Sequence, residues 1–161
     1  KMDHGPILGQ IQAKIGPNED YFNVSERLAN LGAGLLKDKI ISYLECQLKA
    51  SFQDDAKATV CKMIDKSDGQ ISWQKTAQEL HDQVRAYIEW PGSFTKLGDI
   101  DIKILQTKIS EQDLEPGKIL INNNQLFIGC KNKSLEILKI QPAGKKAMLA
   151  EEFIRGYQNK L

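Results

Sequence analysis

The sequence predicts a molecule in two pieces, a short strand-and-helix segment and then a helix-led set of short strands. The first piece reads as the tail of a larger α/β domain, the second as a small barrel or sandwich. Three observations predict this. An alternating stretch and a capped helical periodicity fill residues 1–50. A polar, irregular stretch follows over residues 51–72. From Ser93 onward, apolar and polar residues alternate in runs spaced about ten residues apart, the rhythm of antiparallel strands.

In the first piece Ile7, Gly9, Ile11 and Ala13 share one parity after the turn Asp3-His4-Gly5-Pro6, which predicts a short strand. The cluster Gly16-Pro17-Asn18 breaks it. Asn23 followed by Glu26 has the spacing of a capping box and predicts a helix start. Val24, Leu28, Leu31, Leu35 and Ile41 then form one helical face, ending near Tyr43 to Gln47. Gly32 and Gly34 each cost that helix roughly 1 kcal/mol unless close packing needs a bare backbone. One strand and one helix cannot offset their own ordering entropy. The piece is therefore expected to complete a larger domain, and the opening Lys1 suggests that the natural N-terminus lies further upstream.

In the second piece Ser72 to Glu89 carries Leu80, Val84 and Ile88 on one helical face and stops before Trp90-Pro91-Gly92. Strands are predicted over Ile100–Leu105, Lys118–Ile121, Leu126–Cys130 and Leu135–Ile140, with a last helix over Ala150–Tyr157. Trp73 and Trp90 flank the first of these helices and are expected to fasten it to the strands.

Composition excludes several classes. The chain has 161 residues, 41% hydrophobic and 27% charged, which excludes a wholly disordered polymer. Its apolar runs are far shorter than the roughly 20 residues of a membrane-crossing helix, and no signal peptide is visible. A net charge of +1 argues for no particular partner. Cys46, Cys61 and Cys130 form no Cys-x-x-Cys pair, so neither a zinc site nor a redox motif is expected. They read as reduced, mostly buried thiols of a cytosolic protein.

Two features could carry chemistry. Asp3 and His4 put a carboxylate and an imidazole beside a Gly/Pro turn, a pairing suited to acid–base work. His81, by contrast, reads as a surface or interdomain histidine. Residues 131–148 carry Lys131, Lys133, Lys139, Lys145 and Lys146 against the single acid Glu136, a candidate surface for a phosphate backbone. The strands offer no ladder of aromatic residues for reading bases.

Taken in order, these residues resemble the C-terminal half of the methionyl-tRNA formyltransferase family. Lys62 to Trp73, ending Ser67-Asp68-Gly69-Gln70-Ile71-Ser72-Trp73, is similar to the family's linker. Arg85-Ala86-Tyr87 and Trp90-Pro91-Gly92-Ser93-Phe94-Thr95 resemble its Arg-Ala-aromatic and Trp-Pro-Gly signatures. Gln141-Pro142-Ala143-Gly144-Lys145-Lys146-Ala147-Met148 resembles its most specific motif, and Phe153-Ile154-Arg155-Gly156-Tyr157 its terminal helix. Asp3-His4-Gly5-Pro6-Ile7 is similar to the loop that bears a catalytic aspartate.

The resemblance implies the end of a Rossmann-like formyltransferase domain over residues 1–50, a linker over 51–72, and an OB-like β-barrel that holds tRNA over 73–161. It implies formyl transfer from 10-formyltetrahydrofolate to the amino group of methionyl-initiator tRNA. The catalytic aspartate's role falls on Asp3. The family's partner Asn and His, and most of the folate pocket, would lie upstream, so the isolated chain is expected to be inactive. Lys145 and Lys146 are the first residues expected to touch tRNA phosphates, followed by Lys131, Lys133, Lys62 and Lys66. A cytoplasmic monomer without metal or membrane partner is expected. The competing readings are a stand-alone RNA-binding module and a formyltransferase acting on a sugar nucleotide.

Overall fold

The computed structural model describes residues 3–157. The chain divides into two units, Lys1–Met63 and Ile64–Leu161.

The first unit is built around helix α1, Tyr21–Leu44. Its cap is Asp20 rather than the expected Asn23. The Asp20 carboxylate accepts from the Asn23 backbone N–H at 3.0 Å, and the Asn23 side-chain oxygen accepts from the Asp20 N–H at 3.2 Å. This reciprocal pair satisfies two backbone donors that a helix start otherwise leaves open. Glu19 sets the entry angle: it accepts from the Gly16 N–H at 2.6 Å and from both Nε and Nη2 of Arg27 at 3.0 and 2.7 Å. No residue of α1 is buried, and a Cβ added at Gly32 or Gly34 would meet nothing within 4 Å.

The strand expected over Ile7–Ala13 does not form. Ile7 alone pairs, through two backbone hydrogen bonds with Ser51 of 2.8 and 2.9 Å. A strand needs a neighbour to take its N–H and C=O groups along its length, and this unit offers one residue of it. Among its described residues the first unit therefore contains no strand, which corrects the expected α/β tail.

The second unit is a six-stranded antiparallel sheet with two helices packed on it. Its elements are α2 (Ala77–Ala86), β1 (Ser93–Leu97), β2 (Ile100–Ser110), β3 (Ile119–Asn122), β4 (Gln125–Gly129), β5 (Ser134–Pro142), β6 (Met148–Leu149) and α3 (Ala150–Tyr157). The order is β1-β2-β5-β4-β3, with β6 paired to β5. The expected OB-like barrel is not formed: β1 and β3 end the sheet and do not pair. The backbone of Ile71 instead donates to the Phe94 carbonyl of β1 at 2.9 Å, and Gln70 makes a single bridge to that strand. Closure needs every edge donor and acceptor to meet another strand, and this segment occupies part of the β1 edge.

Alternation sets the two faces of the sheet. Ile102 and Ile104 of β2, Leu126 and Ile128 of β4, and Leu135, Ile137 and Ile140 of β5 point into the core with Leu80 and Val84 of α2 and Phe153 and Ile154 of α3. Burying each such side chain contributes roughly 1.5–3 kcal/mol over leaving it in water. Register shifts between Ile104 and Thr107 of β2 swap the parity midway, so Ile102 and Ile104 face the core in the first half and Thr107 with half-buried Ile109 in the second. Helix α2 starts at Ala77, later than the sequence suggests, because Thr76 and Glu79 close a capping box there.

Several single-residue expectations change. Cys130 is buried, but Cys46 and Cys61 are exposed. Trp73 packs against the core, whereas Trp90 is 58% exposed and is not part of that core. His81 is buried, with Nδ1 2.9 Å from the Thr107 hydroxyl.

Candidate functional site

In the first unit, Asp3 is an exposed residue with a left-handed backbone, φ 62°. Its loop is tied down from the far end of the unit. The Gln53 side-chain amide donates to the carbonyls of Asp3 and Gly5 at 2.9 and 2.7 Å. The Ile7–Ser51 bridge holds the next turn, and His4 Nδ1 sits 3.6 Å from an Asp55 carboxylate oxygen. His4 thus faces Asp55. Sequence reasoning missed Gln53, because an isolated glutamine in a polar stretch carries no periodic or motif signal.

This loop can contribute a carboxylate to a site. It cannot enclose a folate: Asp3, His4, Gly5 and Pro6 are all exposed, and a Cβ on Gly5 would meet nothing within 4 Å.

The lysines of the second unit fall into two clusters and a row between them. Lys145 and Lys146 are exposed in the turn between β5 and β6. Gly144, at φ 70°, makes that turn possible, and the Gln141 side chain donates to the Lys145 carbonyl at 2.9 Å. Lys131 and Lys133 are exposed in the turn between β4 and β5. Lys133 is paired with Glu111 at 2.8 Å. The two turns lie at opposite ends of the nine-residue β5, about 30 Å apart at the usual rise of a strand. Lys66 is exposed in a 3-10 turn at the start of this unit, and Lys62 is exposed in the first unit.

Between those turns the sheet's outer face carries exposed Lys139 of β5 and Lys103 and Lys108 of β2. Lys103 lies opposite Gln141, Lys139 opposite Gln106 and Lys108 opposite Glu136. Exposed Lys96 of β1 pairs loosely with Asp101 at 3.8 Å. Lys96, Lys103 and Lys108 were missed in the sequence, although the alternation around Ile102 and Ile104 already put Lys103 on the solvent face. Two acids lie among them: Asp101, paired with Lys96, and Glu136, which accepts from the Gln125 amide at 2.7 Å and lies opposite Lys108, so the lysines outnumber them. The outer face therefore presents a row of ammonium groups from one end of β5 to the other, an arrangement that attracts a polyanion.

Below this face a polar network fixes α2. Arg85 donates to Asp82 at 2.6 Å. Burial alone would raise the Asp82 carboxyl, but hydrogen bonds from Arg85 and Gln78 and the Arg85 charge outweigh it and hold the group below its usual value. Lys75 donates to the Gln83 side chain at 3.1 Å. Among the described residues no group of three or more His, Cys, Asp or Glu could hold a metal ion, and no helix is long and apolar enough to cross a membrane.

Comparison with known proteins gives these geometries a family context. The family profile described as formyl transferase, C-terminal domain, matches residues 63–158. A protein of Herpetosiphon aurantiacus named methionyl-tRNA formyltransferase is 35% identical over 159 residues, covering 97% of this chain and 52% of its own length. The chain spans about half the length of the curated relatives it matches. Among solved structures, a HypX variant from Aquifex aeolicus matches with TM-score 0.73 at 10% identity, over 100% of this chain and 30% of that one. An N-formyltransferase from Helicobacter canadensis, in complex with folinic acid and dTDP-3-aminofucose, matches with TM-score 0.67 at 18% identity, over 88% of this chain and 52% of that one. At such identities the two structures speak to the fold alone.

Proposed function

The chain belongs to the formyl transferase family, and from that premise we propose that it is the tRNA-holding half of an enzyme that formylates the amino group of methionyl-initiator tRNA, with 10-formyltetrahydrofolate as donor. The observation that carries this reading is the row of exposed lysines from Lys131 and Lys133 across Lys108, Lys139 and Lys103 to Lys145 and Lys146. A nucleotide sugar is too small to use a basic surface about 30 Å long; a folded RNA backbone is not. The names of curated relatives at 31–35% identity support the same substrate.

Asp3 is the chain's contribution to the chemistry. The amine must attack uncharged: as the new C–N bond forms it would lose a proton, and the bond from the formyl carbon to the donor's nitrogen would break, that nitrogen leaving with a proton. The exposed Asp3 carboxylate, on a loop whose backbone Gln53 holds, can accept the amine's proton, directly or through one water. Oxyanion stabilisation and the folate pocket fall to residues outside this chain, and the chain alone is expected not to turn over. The bare surface of α1 supports the view that the first unit completes a larger catalytic domain: exposed Phe22, Leu28, Leu36 and Ile40 are apolar groups that another element could cover.

The test is competitive filter binding. Methionyl-initiator tRNA should be retained by the intact chain, and a dTDP-aminosugar at millimolar concentration should not displace it. Retention of the sugar nucleotide with no retention of tRNA would assign the family's other substrate class.

A further inference from the structure

The two strands that end the sheet, β1 and β3, line one cleft of about 530 Å³. Phe94 and Lys96 come from β1, Ile119 from β3, and Gln70 and Trp73 from the segment ahead of α2. The volume is that of a small-molecule site. Trp73 and Phe94 are both half-buried. Trp73 is backed by the core, so it is held in place. Gln70 offers an amide at the wall, and the Lys96–Asp101 pair stands at the rim with its charges balanced. Flat apolar walls with a few hydrogen-bonding groups suit a planar heteroaromatic ring with a polar edge.

The surroundings select among such rings. Lys103 lies directly opposite Phe94 in the β1–β2 register, and its side chain runs over Gly92. The cleft therefore opens beside the lysine row, and a ring entering it would trail its phosphates onto that row. We infer that this cleft receives one unstacked base of a single-stranded or looped RNA segment, with Trp73 and Phe94 as its walls. The inference rests on the RNA-holding reading and deepens it. Phosphate contacts give attraction without register, and one seated base would supply the register.

The experiment uses the intact chain carrying Trp90→Phe, which leaves Trp73 as its only indole. The probes are a short unstructured RNA oligonucleotide and a blunt RNA duplex of equal charge. The single strand should quench Trp73 fluorescence and the duplex should not. Phe94→Leu should weaken single-strand binding about 5- to 150-fold and leave duplex binding unchanged. RNA binding with a steep salt dependence but no quenching, in a variant whose circular dichroism matches the parent, would overturn the cleft and leave the RNA-holding reading intact. Failure of both probes to bind would overturn both.

Discussion

Gln53 holds Asp3 across fifty residues of sequence: one side-chain nitrogen reaches the Asp3 carbonyl at 2.9 Å and the Gly5 carbonyl at 2.7 Å. A loop exposed along its whole length keeps a defined position because a distant residue bonds its backbone.

Gln53→Ala should loosen that loop without unfolding the unit. These are exposed hydrogen bonds, so the stability cost should stay near 1 kcal/mol. The specific effect is local. Hydrogen exchange at the Ile7 and Ser51 amides should accelerate, while exchange in the middle of α1 should not. Uniform acceleration through α1 would mean that Gln53 supports the whole unit.

The three thiols should separate by reactivity. Burial pushes the Cys130 thiol up to about 11, so it is almost fully protonated at pH 8 and shielded as well. Cys46 and Cys61 are exposed. An aromatic disulfide reagent at pH 8 should titrate two thiols quickly and the third only after denaturant is added. Three fast equivalents would contradict the burial of Cys130.

Gly129→Ala should destabilise the second unit severely. A Cβ there would lie 2.0 Å from the Glu115 carbonyl oxygen and 2.6 Å from that of Leu114, both backbone atoms that cannot turn aside. Gly129 also exchanges backbone hydrogen bonds with Gly117 and Lys118 at 2.9 Å, so retreat would break the β3–β4 end of the sheet. A cost of about 3 kcal/mol is expected, read as a lower denaturation midpoint. A midpoint matching the parent would show that the 114–118 loop moves freely.

The capping box of α2 should give a pH signature. The Thr76 backbone N–H and hydroxyl both donate to Glu79, and they hold its carboxyl below its ordinary value of 4.5. A folded-state value below the unfolded one gives stability that is present above pH 4.5 and lost as pH falls through the folded value. Glu79→Gln should therefore lower Tm at pH 7, and the gap should close as pH falls through the folded-state value. A gap that is constant with pH would assign the effect to packing alone.

Much of the second unit was legible because its core alternates. The Ile100-to-Leu105 and Leu135-to-Ile140 runs named their own inward faces, and the last helix lies over Ala150–Tyr157 as read. Alternation does not say whether two end strands meet, so the barrel was out of reach of the pattern, and Gln70 and Ile71 decide it by taking the β1 edge. In the first unit the cap falls at Asp20 rather than the expected Asn23, because the Asp20 carboxylate and the Asn23 side chain bond each other's backbone N–H. The parity of Ile7 to Ala13 had no neighbouring strand to answer it. Of the candidate site, Asp3 was visible as a carboxylate beside a Gly/Pro turn, and only its specific role came through resemblance. Lys145 and Lys146 were visible as a motif. Gln53 and the sheet-face lysines depend on what folding brings near them.

The second unit is proposed to grip the phosphate backbone of tRNA. The most direct measurement is the salt dependence of initiator-tRNA binding by the intact chain and by its Lys145→Ala/Lys146→Ala variant. The variant should bind more weakly, with a log–log slope shallower by about two, one for each lost phosphate contact. An unchanged slope would contradict it and return these lysines to an ordinary solvated surface.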